Sequence, residues 1–170
     1  GAGITTVLDA IALGAVMTTS VRVKRLNEMV ESLSTAREAG ILRADHLLHL
    51  RCEVTYAHLP EVFEALSQHN MVRLASLMDH TPGQRQFVNP DKYRQYYQGK
   101  FKLSDADMET FIDERRRDQV LYGEKHRRII VDMCKERGIS LASHDDATEA
   151  HVDEALADGV IIAEFPTTFE

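Results

Sequence analysis

Tryptophan is absent from this chain and cysteine nearly so, with Cys52 and Cys134 far apart and in no CxxC pair. Two such thiols predict ordinary packing in a reducing compartment rather than a disulfide or a zinc knuckle. No low-complexity tract occurs. Neither GxGxxG nor GxxxxGK[ST] is present, so nothing supports a nucleotide-binding version of an α/β sheet. Basic charge is in deficit, with 20 Lys and Arg against 27 Asp and Glu and a formal net charge of -7. That balance argues against a general binder of nucleic acid. The positive charge that exists gathers in Arg115, Arg116, Arg117, Lys125, Arg127 and Arg128. It reads as a solvated helix face, with a polyphosphate-binding surface as the alternative. An apolar run from Ala2 to Val21 approaches the length of a membrane span, but it contains Asp9, Gly14 and several threonines. No basic segment precedes it, so the expectation is a cytoplasmic protein with no membrane or export role.

What is present is an alternation of strands and helices in 170 residues, 44% of them hydrophobic, enough for one domain with a sizeable core. Gly3 to Ala10 is a β-rich apolar run. Val23, Leu26, Met29, Val30 and Leu33 then recur at helical spacing, with Gly40 as a C-cap. His46 to Val54 reads as a second strand. Pro60 opens a helix carrying Val62, Phe63 and Leu66, and Met71 to Met78 is a third strand. A helical excursion near 90–137 follows, with Ser104 and Asp107 as a capping box, Gly123 as a kink and Gly138 as a stop. Ile139 to Ser143 is a fourth strand, Asp146 with Glu149 caps a short helix ending at Gly159, and Val160 to Phe165 is a fifth. Strands separated by amphipathic helices imply parallel βαβ units. Length and pattern alone favour an open doubly wound sheet, because a whole (β/α)8 barrel takes about 250 residues.

Parallel strands place their carboxyl ends on one face, where α/β proteins build their sites. The residues expected there are Asp9, Glu53, Asp79-His80, His144-Asp145-Asp146 and Glu164. Imidazole and carboxylate groups in that position suit zinc, manganese or iron and metal-assisted hydrolysis. Two histidines at equivalent strand ends, His80 and His144, with a carboxylate at a third, carry that reading. The bland reading leaves Asp146 as a helix cap, Asp9 and Glu164 solvated or paired, and His80 in a turn. His46, His49, His58, His69, His126 and His151 lack the placement and read as structural or solvated. For His49, the expectation is that only a bulge would bring it to Glu53's side of its strand.

Three stretches then carry a family resemblance: LMDHTPGQRQF from Leu77 to Phe87, LASHDDATEAH from Leu141 to His151, and AEFPTT from Ala163 to Thr168. They resemble the signatures of the diphosphatases of bacterial phosphonate breakdown, within the amidohydrolase superfamily. GITTVLDA and LHLRCEV follow the same family's course in order. The resemblance implies an incomplete (β/α)8 barrel, about five parallel strands with flanking helices, and a divalent metal ion. It implies hydrolysis of a phosphorylated ribose phosphonate, α-D-ribose 1-methylphosphonate 5-triphosphate, to the 5-phosphate and pyrophosphate. His80 and His144 match metal-ligand histidines, and Glu53 is the strand-borne carboxylate ligand. Gln84 and Arg85, in the Pro-Gly loop after His80, are expected to overhang the site and bind the triphosphate. The bland alternative pairs Arg85 with the acidic excursion after Asp91.

Two family features are missing: the HxD-like or HxH-like motif of a first strand and the aspartate of a last strand. The chain is therefore expected to be a fragment, inactive alone. Apolar side chains among Val7, Leu50, Leu74, Leu141 and Ile161 would lack an opposite wall, and a homodimer or higher assembly through exposed edges would cover them. Rival readings are an amidohydrolase cleaving a C–N bond and a non-catalytic open-sheet interaction domain.

Overall fold

The computed structural model describes residues 3–14 and 25–167. Ala2, Val21, Val23 and Thr168 lie outside them.

Five parallel strands run in the order β1-β2-β3-β4-β5: β1 (Thr6–Leu13), β2 (Asp45–Glu53), β3 (Val72–Met78), β4 (Ser140–His144) and β5 (Ile162–Glu164). Between them lie α1 (Leu26–Glu38) and α2 (Leu59–Ser67), then α3 (Pro90–Phe101), α4 (Asp105–Asp118) and α5 (Glu124–Arg137), and finally α6 (Glu149–Asp158). A π-helical turn, Gln119–Gly123, joins α4 to α5 where a kink is expected at Gly123. The strand order never reverses, which corrects the doubly wound sheet that pattern alone favoured.

Local chemistry sets many of the boundaries. Pro60 occupies the first turn of α2, where its missing N–H costs nothing. Asn89 caps α3 by accepting from the amides of Asp91 and Lys92. Ser104 caps α4 by accepting from Asp107 N–H, and Gly138 and Gly159 end α5 and α6 in the left-handed conformation. The cap of α6 is Thr148, which accepts from His151 N–H, and Asp146 is engaged elsewhere, so the expected Asp146 cap is corrected.

Period-two alternation sorts the strands into two faces. Ile11, Leu13, Leu48, Leu50, Cys52, Ala75, Leu77 and Leu141 pack with Leu26, Val30, Phe63, Ile130 and Cys134 into the main core. Helices therefore cover one face of the sheet. Leu50 and Leu141 belong to this covered face, which corrects the expectation that they lack a wall; Leu74 is also buried, whereas Ile161 is exposed. Both cysteines are free and buried in the core. The opposite face holds a cross-strand row of Ala12, Arg51, Ser76, Ala142 and Ile162. A second cluster, Phe87, Tyr93, Tyr97, Met108, Phe111 and Ile112, holds the α3–α4 pair together.

No helix among the described residues is long and apolar enough to cross a membrane. Three basic residues of the excursion have acidic partners: Arg115 with Asp118, Arg127 with Glu154 and Asp158, and Arg128 with Glu124.

Candidate metal centre

Glu53 ends β2, His144 ends β4, and His80 lies two residues beyond β3, so one rim of the sheet presents all three. Gly14, just past β1, lets this rim close. Its φ is +108°, and a Cβ there would lie 2.9 Å from the Cβ atoms of both Glu53 and Tyr56.

The histidines are held in a chain of acidic partners. Nδ1 of His80 sits 2.5 Å from Oε2 of Glu53, whose Oε1 also accepts from the His80 backbone N–H. Nδ1 of His144 lies 3.3 Å from Glu164. The remaining nitrogens look toward one carboxylate: Oδ2 of Asp145 is 3.9 Å from Nε2 of His80 and 3.4 Å from Nε2 of His144. Asp145 reaches that position with a left-handed backbone, φ +55°, rare for a residue with a Cβ. Ligand atoms of His80, His144 and Asp145 all lie within 4.8 Å of one another. Two imidazoles and a carboxylate are donors that suit zinc, manganese or iron, so these residues fit a divalent ion. A carboxylate on the far nitrogen of each histidine is the arrangement that fixes ring orientation in such centres.

Burial works against the Glu53 carboxylate and the His80 imidazolium alike. Their mutual charge and hydrogen bonds outweigh it, so Glu53 is held below the usual carboxylate range and His80 above the usual histidine range. Burial, aided by neighbouring Arg51, holds the His144 imidazole below its usual value. A neutral ring keeps a lone pair on Nε2, and Arg51 Nη2 lies 2.9 Å from that atom.

Several sequence expectations change here. Asp9 is mid-strand, because β1 continues to Leu13, and its carboxylate pairs with His46 at 2.7 Å away from the rim. His49 needs no bulge to share Glu53's face, since the two are four residues apart on one strand. It meets Ser76 Oγ at 2.8 Å and lies 3.6 Å from Glu164. Glu53, expected as the third ligand, occupies the far nitrogen of His80, and the third member of the cluster is the carboxylate of Asp145. The sequence signal for Asp145 was adjacency to His144; its turn back toward both rings depends on the backbone.

Arg85 is buried in ion pairs with Asp146 at 2.5 Å and Glu154 at 2.8 Å, and it donates to the His144 carbonyl. These partners replace the expected acidic residues after Asp91. Gln84 and Arg85 line a cavity of about 240 Å³ with Arg127, His151 and Glu154, on the helix side. Glu53 and His80 line a different cavity, of about 210 Å³.

Over 168 residues, 99% of the chain, the sequence is 49% identical to the alpha-D-ribose 1-methylphosphonate 5-triphosphate diphosphatase of Escherichia coli strain K12. The chain spans 44% of that protein's length. The similarity is to the kind of enzyme that the three sequence stretches indicated. No family model matches the chain, and no solved structure does.

Proposed function

We propose that this chain forms one side of the divalent-metal site of a phosphoanhydride hydrolase, with a ribose phosphonate triphosphate as substrate and pyrophosphate as leaving product. The observation that carries the reading is the convergence of His80, His144 and Asp145 at the carboxyl ends of parallel strands. The similarity to the diphosphatase supports the substrate class. An unreversed strand order with helices on one face supports a (β/α)8 barrel of the amidohydrolase kind.

In this reading His80, His144 and Asp145 hold the ion, and Glu53 and Glu164 orient the two rings. An ion bound there supplies Lewis acidity toward a phosphoryl oxygen and makes water a better nucleophile near neutral pH. The protein's own part is to turn Nε2 of each ring toward the ion and, through Glu53 and Glu164 at the two Nδ1 atoms, to keep the imidazoles from rotating. The outer strands β1 and β5 each have a neighbour on one side only among the described residues, which supports pairing with further chain, including a second copy.

Equilibrium dialysis against zinc or manganese tests the site. One ion per chain is expected, with His80→Asn and His144→Asn each weakening retention by at least about tenfold, the scale on which even outer partners of metal ligands act. Equal retention by the parent and the double variant would remove the metal site. Pyrophosphate release is then measured on a protein of the relative's full length.

A further inference from the structure

We propose that Arg51 and Lys100 form the anion clamp of this site, and that the cavity they share takes the substrate's phosphate chain. The assignment rests on the hydrolase reading above. The cavity, about 210 Å³, is bordered by Arg51, Glu53, His80, Gln86, Tyr96 and Lys100. Sites for drug-sized ligands usually measure roughly 300–1,000 Å³, so this one suits a short oligophosphate better than a whole nucleotide-sized molecule.

Arg85, Arg94, Arg127, Arg128 and Arg137 all pair with carboxylates. Arg51 and Lys100 have no carboxylate within ion-pair distance among the described residues. Arg51 makes its hydrogen bond to Nε2 of His144, at 2.9 Å. Lys100 Nζ meets the Tyr96 hydroxyl at 3.2 Å and lies over the faces of Tyr96, Tyr97 and Phe101. Two positive charges without counter-charges therefore border the cavity that His80 and Glu53 also line.

Both residues are placed by the fold. In the row across the sheet, Arg51 stands between Ala12 and Ser76, with Ala142 beyond, so small neighbours leave its side chain room. Lys100 lies in the last turn of α3, three and four residues after the two tyrosines that line the same cavity. An ion on Nε2 of His144 would take the lone pair that Arg51 uses, and the guanidinium would then need another acceptor. Phosphate oxygens supply it, through the paired N–H fork of Arg51 and the point charge of Lys100.

Isothermal titration of the metal-free chain with inorganic tripolyphosphate at low ionic strength tests the clamp. Arg51→Gln and Lys100→Gln are each expected to raise Kd about tenfold or more, the effect of losing a charged hydrogen bond, and Arg128→Gln is expected to leave it unchanged. Lys100 is exposed, so its variant decides the matter should Arg51→Gln melt early. Parent-like Kd in Lys100→Gln and in every folded Arg51 variant, or no binding by the parent, overturns the clamp. Zinc retention measured on the same proteins separates the two readings. Retention with an unaffected Kd defeats the clamp and leaves the hydrolase reading standing. Loss of zinc binding in the parent, with weakened tripolyphosphate binding in the variants, defeats the metal reading and keeps the anion site.

Discussion

Replacing Arg85 with alanine removes the tie between the loop after β3 and the loop after β4. Three contacts go at once: Asp146 at 2.5 Å, Glu154 at 2.8 Å and the His144 carbonyl at 3.2 Å. Asp146 is only 6% exposed, so its carboxylate would be left buried without its cation. Breaking one partner of a buried pair typically costs about 3–5 kcal/mol. Asp146 keeps the Ser143 hydroxyl, and Glu154 is partly exposed and keeps Arg127, which places the expected loss near the lower end, about 3 kcal/mol. For a domain of roughly 150–250 residues each kcal/mol moves Tm by about 2–4 °C, so the melt should fall by roughly 6–12 °C. Thermal unfolding followed by circular dichroism measures this, with Arg128→Ala as an exposed-pair control. In a double-mutant cycle, Asp146→Asn should cost much less in the Arg85→Ala background than alone. A Tm for Arg85→Ala no lower than that of Arg128→Ala would refute the view that Arg85 ties the two loops together.

Two further outcomes are expected. The Tyr93 hydroxyl is fully buried with no hydrogen-bond partner among the described residues, so Tyr93→Phe should hold or raise stability, by up to about 1–3 kcal/mol in denaturant titrations, and a clear loss would reveal a partner. Burial holds the His126 imidazole below its usual value despite its hydrogen bond to the Val54 carbonyl, so the unfolded chain takes up the proton first as pH falls. Its stabilising contribution is then full above the unfolded value near 6.5 and is lost as pH drops through the folded one; His126→Gln should flatten that slope in urea titrations across the interval, and parallel slopes would exclude His126.

The positions of the strands, and the fact that His80, His144 and Glu53 end or follow them, were legible because burial on a strand has period two and turns have their own chemistry. Gly138, Gly159, Ser104 and Pro60 announced helix boundaries for the same local reason. Strand order was not legible. Pattern favoured a doubly wound sheet, since amphipathic helices alternate with strands in both arrangements, and only the pairing of β1 through β5 in sequence decided it. Partner choice among charges was equally hidden. Arg85 stands next to the expected site in the chain, yet its guanidinium is taken by Asp146 and Glu154, 61 and 69 residues away. Arg51, on a strand the sequence marked for Glu53, emerges beside the cavity without a carboxylate partner among the described residues. Asp145 joins both histidines through a left-handed turn that no spacing rule forecasts. Sequence by itself placed Glu53, His80 and His144 at or just past strand ends, because that follows from local periodicity, although it misplaced Asp9, which is mid-strand. Tertiary structure decided which of them remain available to a ligand, because charge pairing and burial depend on residues far apart in the chain.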